Sequence, residues 1–349
     1  MNAVEIGGLR VGDDAAPFII AEMSGNHNQS LDRALKIVEE AAKAGAHALK
    51  LQTYTADTMT LDIRSDAFAI PDGEGLWGGK SLYELYRQAS TPWAWHPAIF
   101  EYGRKLGLVV FSSPFDASAV DFLQSLDAPC YKIASFEITD LPLIRKAAST
   151  GKPVILSTGM ATLAEVDEAV TACREAGSGQ IVLLKCTSSY PAPVDRANLA
   201  TIPHMQRLFD CPVGLSDHTL GLAAAVASVA LGASVIEKHF TLSRAEGGVD
   251  AAFSMEPAEL KQLTAACRDA SSAIGRVSYG PSADERDSLR FRRSIYAVKD
   301  IAVGERFGKA NIAIIRPGYG LAPKHYDTLI GKNASKPIPR GTPIGWEMI

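Results

Sequence analysis

The amino-acid sequence predicts an α/β protein, namely a (β/α)8 TIM barrel followed by a small β-rich domain. Eight short apolar runs recur along the chain, and nearly every one ends in polar or ionisable residues. Most of these runs are separated by a stretch with helical periodicity, and polar groups at the carboxyl ends of successive strands are typical of barrel enzymes. The chain has 349 residues, which exceeds the roughly 250 that a barrel needs, so we expect an additional small domain.

The apolar runs define the predicted strands, at residues 18–23, 48–53, 108–113, 130–135, 153–158, 181–187, 212–217 and 234–239. A helix is predicted after the first run, because Ser30 can cap a segment with apolar residues at helical spacing that Gly45 ends. The segment 188–211 is rich in proline and only weakly helical. Further helices are expected near residues 94–106, 116–126, 140–149, 162–175, 219–231 and 257–274.

Two segments depart from the alternation of strand and helix. The segment 54–92 is too long for a simple loop, so we expect it either to line a substrate site or to be a packed surface insertion. Residues 279–294 are polar and rich in charge, as in a linker. The predicted domains are therefore a barrel over 1–278, a linker over 279–294 and a β-rich domain over 295–349.

Composition narrows the possible partners and compartments. The formal net charge of −4 does not favour nucleic acid or an anionic membrane as a partner. No apolar run reaches the ~18 residues of a membrane span, and the first residues lack the features of a secretion signal, so we expect a cytoplasmic protein. The five cysteines show no regular spacing, which indicates reduced thiols in the core.

Two lysines within apolar strands predict an anion site at the barrel mouth. Lys50 alternates with Gln52 on the second strand, and Lys132 lies in the fourth strand, followed by Glu137. A lysine buried in a strand is costly unless an anion compensates it. The anion could be a ligand, or each lysine could pair with a buried carboxylate of the chain. Hydroxyl groups at the strand ends would complete a cradle for phosphate or carboxylate, although each one alone could cap a helix instead; they belong to Ser113, Ser135, Ser157, Ser188 and Ser216.

Two histidines predict a metal site beside the anion site. His218 ends the seventh strand and His239 ends the eighth, and Asp250 follows in a glycine-rich loop. Imidazole nitrogens with oxygen ligands suit a divalent transition ion, and the absence of nearby thiolates argues against structural zinc. Glu22 ends the first strand and is followed by a loop with Asn26; its carboxylate could act as a base, orient a hydroxyl group or support a metal. Arg316 stands in a Gly/Pro turn and taken alone reads as a surface residue.

At this point the motifs resemble a known family. The segments AEMSGNHN, LKLQTYTADTMTLD, FSSPFD, YKIASFEITDLPLI, ILSTGMA, LLKCTSSYPAP, GLSDHTLG, EKHFTL and FRRSIY together resemble the sialic acid synthase family, in register with all eight strands. The C-terminal segment resembles the antifreeze-like (SAF) domain of these synthases. Within the family, AEMSGNHN and YKIASFEITD are more similar to the branch that makes pseudaminic acid than to the N-acetylneuraminate branch. The N-acetylneuraminate branch commonly has Asn at the position of Ser188, and this difference implies that the present chain uses a different sugar.

The resemblance implies that phosphoenolpyruvate condenses with an amino-sugar aldehyde and releases phosphate. It implies that Lys50, Lys132 and the serine hydroxyls hold phosphoenolpyruvate. It also implies that His218 and His239 bind Mn²⁺ or Mg²⁺, that Asp250 reaches this metal through water, and that no organic cofactor is needed. Glu137 and Tyr190 would contact the sugar, and Glu22 would bind the sugar or activate water at C2. Asn26 and Gln52 would be further substrate-binding residues. Family members are domain-swapped homodimers, so Arg316 would reach the sugar from the other subunit. The expected sugar is 2,4-diacetamido-2,4,6-trideoxy-L-altrose.

Other functions remain open at this stage. A sibling enzyme would make N-acetylneuraminate or legionaminate with the same phosphoenolpyruvate chemistry. A metal-dependent aldolase would use free pyruvate and release no phosphate. A non-catalytic sugar- or ice-binding protein would not need a metal beside an anion cradle.

Overall fold

The computed structural model describes residues 3–12, 15–73 and 76–349. The chain divides into two compact units, Met1–Gly275 and Arg276–Ile349. Residues 1–2 and 13–14 of the N-terminal segment and residues 74–75 of the predicted insertion lie outside the described residues. Across the described ranges, no helix is both long and apolar enough to cross a membrane.

The first unit is a closed barrel of eight parallel strands, as the sequence predicts. Each strand pairs with the next along the chain, and the last pairs with the first, which closes the barrel. An antiparallel hairpin of β1 (Val4–Ile6) and β2 (Leu9–Val11) precedes it. The barrel strands are β3 (Phe18–Glu22), β4 (Ala48–Thr53), β5 (Val109–Pro114), β6 (Tyr131–Ile133), β7 (Val154–Ser157), β8 (Ile181–Cys186), β9 (Val213–Ser216) and β10 (Val235–His239).

Helices surround the barrel close to the predicted positions. Ser30 caps the first of them by accepting a hydrogen bond from the backbone N–H of Arg33 (3.3 Å), as its sequence predicts. The buried residues of this helix form one stripe that packs on the barrel. The helices of the unit are α1 (Leu31–Lys43), α2 (Ala56–Met59), α3 (Leu82–Ala89), α4 (His96–Lys105), α5 (Ala117–Ser125), α6 (Leu141–Ala148), α7 (Leu163–Glu175), α8 (Thr201–Phe209), α9 (Ala223–Ala230) and α10 (Pro257–Ile274).

Two helices differ from the prediction. Helix α8 is a regular helix where the sequence appeared only weakly helical, because Pro203 lies in its first turn, where a missing backbone N–H costs no helical hydrogen bond. Helix α9 begins at Ala223 rather than near residue 219. The left-handed backbone of Gly221 (φ 77°) interrupts the helical path before it.

The barrel interior below the strand ends is filled by apolar side chains, which we call the apolar plug. The hairpin contributes Val4, Ile6 and Val11 and covers the end at which the strands begin. These side chains are 8% exposed or less, as expected for the packed interior of an eight-stranded barrel. The remaining members of the plug are Phe18, Ile20, Ala48, Val109, Phe111, Cys130, Ile155, Val182, Leu184 and Val235.

The second unit has a separate core. Its strands β11 (Ser294–Ala297) and β12 (Ile312–Ile315) pair in antiparallel fashion, and the short helix α11 (Tyr326–Leu329) follows. The segment 279–294 lies in this unit and is mostly exposed. The core side chains include Ile295, Phe307, Ile312, Leu329 and Ile344, so the unit buries its own apolar cluster.

Candidate active site

A cavity of about 340 Å³ lies at the carboxyl ends of the barrel strands, above the apolar plug. Its base is polar and includes Glu22, Lys50, Lys132 and Glu237. A larger depression of about 600 Å³ lies within the insertion, but it is lined by mostly exposed side chains and has no comparable lysine and histidine cluster. The insertion supplies an apolar wall of the smaller cavity, formed by Met59, Ile70, Trp77, Leu82 and Leu85. The insertion therefore lines this cavity, one of the two roles that its sequence left open.

The alternation of side chains along the strands produces the polar base. Lys50 follows Ala48 by two residues, and Lys132 follows Cys130 by two, so each lysine points inward directly above a member of the plug. Glu22 and Glu237 are placed in the same way on β3 and β10. Neighbouring strands thus bring ionisable groups that are far apart in sequence into one layer.

Glu22, Lys50 and Glu237 form a buried charge cluster. The Nζ atom of Lys50 lies 3.0 Å from Glu22 Oε2 and 2.7 Å from Glu237 Oε1. Gln52 Nε2 also donates to Glu22 Oε1 (2.8 Å). All three charged side chains are no more than 4% exposed, so none of these contacts is weakened by bulk water.

Lys132 has a weaker set of partners. Its Nζ atom lies 3.7 Å from Glu237 Oε1 and donates to the backbone carbonyl of Ile133 (3.2 Å). The alternative reading of the sequence, that the lysines pair with buried carboxylates, therefore holds fully for Lys50 and only loosely for Lys132. Glu237 is shared between the two ammonium groups.

The charges in this layer shift one another's protonation. Burial disfavours the charged form of Lys50, but Glu22 and Glu237 outweigh it and raise its pKa to about 12. Burial dominates at Lys132 and lowers its pKa, with only partial compensation by Glu237. Burial also opposes ionisation of Glu22, yet His239 and Lys50 hold the pKa of Glu22 well below its usual range. Glu22 is therefore a carboxylate at neutral pH.

The serine hydroxyl groups are available for a ligand. The Oγ atoms of Ser113 and Ser157 are buried and have no hydrogen-bond partner among the described residues. The hydroxyl of Ser216 donates to Glu237 Oε1 (3.2 Å), and that of Ser135 accepts from the backbone N–H of Gly159 (3.1 Å). Helices α5, α6 and α7 are capped by other residues, so these serines are not caps of those helices. Buried hydroxyls without partners indicate groups that a bound molecule would satisfy.

The two histidines lie side by side at the cavity. The ring centroids of His218 and His239 are 5.3 Å apart, and the aromatic rings of Tyr190 and Phe253 pack against them. His218 Nδ1 donates to the Thr187 carbonyl (3.0 Å), which leaves its Nε2 lone pair for a ligand. His239 Nε2 lies 3.3 Å from Glu22 Oε2.

The described donors fit a divalent cation, although they do not form a complete cage. His239 Nδ1 is buried without a hydrogen-bond partner in the described chain and lies 3.8 Å from Asp250 Oδ2. Asp250 also accepts a hydrogen bond from Ser24. Within the described ranges, no group of three or more His, Cys, Asp or Glu side chains is arranged to hold a metal ion by itself. Two imidazoles with one nearby carboxylate would need water or substrate oxygens to complete the coordination of a cation.

Glu137 and Tyr190 lie on the cavity wall. Burial raises the pKa of Glu137 to about 7, partly opposed by Lys132, so this carboxyl group can donate or accept a proton near neutral pH. Its Oε2 atom is buried without a partner among the described residues. The ring of Tyr190 packs against that of His218 in a tilted arrangement, with a centroid distance of 4.4 Å.

Four residues named by the sequence are not among those that line the cavity. Ser113 is 1% exposed and follows Phe111 of the apolar plug by two residues. Asn26 is fully buried, and its amide donates to the Phe240 carbonyl (3.0 Å) and to Ser254 Oγ (2.8 Å), so it joins the loop after β3 to the segment after β10. Ser188 lies next to two residues of this region: its Oγ is 4.0 Å from Cys186 Sγ, and a Cβ added at Gly159 would meet it at 2.2 Å. Arg316 is exposed in the second unit, directly after β12.

Glu237 and Cys186 are among the cavity residues that the sequence did not predict as site residues. Glu237 shares a face of β10 with His239 and lies between both lysines. Cys186 was expected to be a core thiol, yet it lines the cavity with its Sγ 3.8 Å from His218 Nδ1. Burial opposes its ionisation, but the contact with His218 lowers the pKa of Cys186 to about 7. The alternation along β8, which places Cys186 above Leu184, is the sequence signal that could have identified it.

Comparison with known proteins agrees with this geometry. The chain is 44% identical over 329 residues to the pseudaminic acid synthase of Helicobacter pylori, covering 94% of this chain and 96% of the relative. It is 45% identical over 328 residues to the pseudaminic acid synthase of Campylobacter jejuni serotype O:2, covering 94% and 95%. Among solved structures, the N-acetylneuraminic acid (sialic acid) synthetase of Leptospira borgpetersenii has a TM-score of 0.74 at 32% identity and covers 83% of this chain and 96% of that one.

Family models match both parts of the chain. Residues 292–349 match the SAF domain, which confirms the predicted likeness of the C-terminal segment. Residues 37–279 match the NeuB family, a range that contains the two lysines, both histidines and most of the cavity. The chain belongs to the NeuB family.

Proposed function

We propose that the chain is a pseudaminic acid synthase, which condenses phosphoenolpyruvate with 2,4-diacetamido-2,4,6-trideoxy-L-altrose. In this reaction a bond forms between C3 of phosphoenolpyruvate and the aldehyde carbon of the sugar, water adds at C2, and the bond from C2 to the phosphate oxygen breaks. The single observation that carries the proposal is the pair of buried lysines that line the cavity together with the Ser157 hydroxyl, which has no hydrogen-bond partner among the described residues. The similarity to two pseudaminic acid synthases supports the choice of sugar.

The lysines and serines would bind phosphoenolpyruvate. Lys50 and Lys132 provide two ammonium groups at the base of the cavity, and the hydroxyl of Ser157, which lines the same cavity, can donate to anionic oxygens. As the phosphate departs, the same ammonium groups would stabilise its developing charge without reorganisation, since they are already held in place. Ser135 and Ser216, which also line the cavity, would complete this half of the site.

The balance of charge supports a divalent cation in the proposal. Lys50 and Lys132 face Glu22 and Glu237, so these four inner groups have no net charge when all are ionised. An anionic substrate therefore calls for further positive charge. We infer that His218 and His239, with Asp250 acting through water, hold Mn²⁺ or Mg²⁺, which when bound would act as a Lewis acid toward the sugar aldehyde.

The carboxyl groups would handle the sugar and its protons. Glu22 remains ionised and is oriented by Gln52 Nε2, so it can accept a hydrogen bond from a sugar hydroxyl or from the water that adds at C2. Glu137, with a pKa of about 7, can donate to the sugar in its protonated form. Tyr190 and the apolar wall of the insertion would pack on the sugar and exclude water.

The proposal includes an assembly of two chains. We infer a domain-swapped homodimer in the cytoplasm, in which Arg316 of the second copy contacts the sugar. The basis is the family resemblance and the exposed position of Arg316 after β12. Arg316→Ala should raise the KM for the sugar while leaving the KM for phosphoenolpyruvate unchanged. Mixing Arg316→Ala with the inactive His239→Ala variant should restore activity in mixed dimers, and a failure to restore it would contradict the swapped arrangement.

The first experiment is phosphate release from phosphoenolpyruvate with Mn²⁺ and three sugars. The trideoxy-altrose sugar is compared with N-acetylmannosamine and with the legionaminate precursor. Turnover with the altrose sugar alone is expected. Turnover with another sugar would retain the mechanism and change the specificity, and no phosphate from any sugar would overturn the proposed activity.

A variant connects the activity to the site. His239→Ala should abolish condensation while the circular dichroism spectrum remains that of the wild type. Lys43→Ala is a suitable control, because Lys43 pairs only with exposed or half-buried glutamates of α1. Wild-type turnover in His239→Ala would remove the histidine pair from the mechanism.

A further inference from the structure

The backbone ladder between β9 and β10 ends before the two histidines. Within the described chain, its last bond runs from the backbone N–H of Asp217 to the carbonyl of Glu237 (2.9 Å). His239 is the last residue of β10 and pairs in register with Glu22 on the other side, whereas His218 follows β9 in the loop. The main-chain bonds between β9 and β10 therefore do not by themselves fix the separation of the two imidazoles.

A buried ion pair continues the connection where this ladder stops. Lys238 alternates with Glu237 and His239 and so points to the outer face of the barrel, away from the cavity. Its Nζ atom lies 2.9 Å from Asp217 Oδ2 and donates to the carbonyls of Thr219 (2.5 Å) and Gly221 (3.4 Å). Each of its acceptors belongs to the segment 217–221, which carries His218.

Both carboxylate oxygens of Asp217 have hydrogen-bond partners. Asp217 Oδ1 accepts from the backbone N–H of Thr219 (2.9 Å), which folds the segment into a tight turn. The side chains of Lys238 and Asp217 are only 1% and 2% exposed. The ammonium group of Lys238 thus connects the end of β10, next to His239, to the turn that contains His218.

Energetics argue that this pair has a use beyond holding the fold. Removing two charges from water is costly, and well-packed apolar residues of similar volume often stabilise a protein as much as a buried ion pair does. What an apolar pair cannot supply is directional contact from one atom to three acceptors. Such contact restrains the path of the chain from Asp217 to Gly221 and with it the position of the imidazole between them.

We propose that Lys238 and Asp217 are positioning residues that set the separation of His218 and His239 for metal binding. The inference rests on the proposed metal site. Neither side chain lines the cavity, so neither contacts the substrate or the metal. The pair acts through the backbone of the two strand ends, in the way that outer-shell partners orient metal ligands.

The test measures Mn²⁺ affinity of the metal-free protein by isothermal titration calorimetry, without turnover. The double variant Lys238→Met, Asp217→Leu removes the directional contacts and both charges together, so no buried charge is left unpaired. We expect its Kd for Mn²⁺ to rise at least about tenfold, the lower end of the effect of losing an outer-shell partner. The KM for phosphoenolpyruvate, measured at saturating Mn²⁺, should stay within about twofold of the wild type.

A second variant and a control separate positioning from stability. Lys238→Arg retains the charge pair, but a planar guanidinium cannot reproduce the contacts of a compact ammonium group, so we expect weaker Mn²⁺ binding here also. Thr53→Val is the matched control, since Thr53 bonds His96 Nε2 (2.9 Å) and Ser112 Oγ (2.6 Å) in another buried polar contact away from the histidine pair. It should lower the melting temperature and leave the Kd for Mn²⁺ unchanged.

The outcomes distinguish this inference from the proposed function. If the wild type binds Mn²⁺ in a manner that His239→Ala abolishes, and the Lys238 variants that fold bind it equally well, the positioning role is wrong and the metal site stands. If wild type and His239→Ala bind Mn²⁺ alike, the metal site is wrong and the inference fails with it. Weaker binding in the Lys238 variants but not in Thr53→Val supports the inference.

Discussion

Glu237→Gln tests the idea that the base of the cavity is an anion site whose charge is balanced by the chain itself. Glu237 is shared by Lys50 at 2.7 Å and Lys132 at 3.7 Å, and all three groups are buried. Breaking a buried ion pair by removing one partner costs about 3 to 5 kcal/mol. Lys50 retains Glu22 at 3.0 Å and the new amide oxygen can still accept, so we expect the lower end, about 3 kcal/mol.

The assay is urea unfolding together with thermal melting, each with and without inorganic phosphate. A loss of about 3 kcal/mol corresponds to a fall in melting temperature of about 6 to 12 °C for a domain of this size. Because the base then carries one more net positive charge, phosphate should bind at least about tenfold more tightly than to the wild type, a difference of about 1.4 kcal/mol. Added phosphate should therefore recover part of the lost stability.

A surface variant, Glu39→Gln, is the control for this experiment. Glu39→Gln removes a carboxylate that pairs with Lys36 and Lys43 on the surface of α1, and neither the melting temperature nor phosphate affinity should change measurably. If Glu237→Gln melts with the wild type and binds phosphate no better, Glu237 does not compensate the lysines, and the electrostatic account of the cavity base is wrong.

Three further predictions follow from the same structure. Burial raises the pKa of Glu137 to about 7, so between pH 4.5 and 7 the folded state retains a proton that the unfolded state releases. The stability of the wild type therefore falls as the pH rises through this window. In urea titrations, Glu137→Gln should be more stable than the wild type by up to about 3 kcal/mol at pH 8, and the difference should shrink toward pH 5. Asn26→Ala should cost roughly 1 to 3 kcal/mol of stability and leave the KM values for phosphoenolpyruvate and for the sugar unchanged, and a rise in either KM would place Asn26 in the site after all. Gly214→Ala should lower stability by about 1 to 3 kcal/mol because its Cβ would meet the Val235 carbonyl oxygen at 2.3 Å, whereas Gly179→Ala, with open space around it, should melt close to the wild type.

Much of the fold follows from local pattern. The strand runs, Ser30 as a cap and the helix that begins at Pro257 were all predictable, because each depends on spacing within a few residues. The start of α9 was missed, because the left-handed backbone of Gly221 lies in a turn that is held by Lys238, a residue later in the chain whose Nζ donates to the carbonyls of Thr219 and Gly221. Tertiary contacts of this kind override a local helical pattern.

The candidate site was likewise predictable where it depends on local pattern and not where it depends on contacts between distant parts of the chain. Residue type and strand position place Lys50, Lys132 and the histidines at the mouth, and the structure brings them to one cavity. The sharing of Glu237 between two lysines depends on closure of the barrel from β10 to β3, a pairing between distant parts of the chain. Asn26 lies in a motif next to Glu22, but its rotamer is set by Phe240 and Ser254, which no local pattern reveals.

The apolar plug has a kinetic consequence. The apolar plug, which includes Val4, Ile6 and Val11 of the hairpin, fills the barrel interior below the cavity, so a reactant would reach the lysines from the side of the strand ends. A molecule in contact with Lys50 and Lys132 lies deeper than one that contacts the wall of the insertion. Phosphoenolpyruvate bound at the base would therefore have to enter before the sugar, and the sugar would block its escape until the new bond has formed. The two substrates would therefore bind in a compulsory order, with phosphoenolpyruvate first and the sugar second.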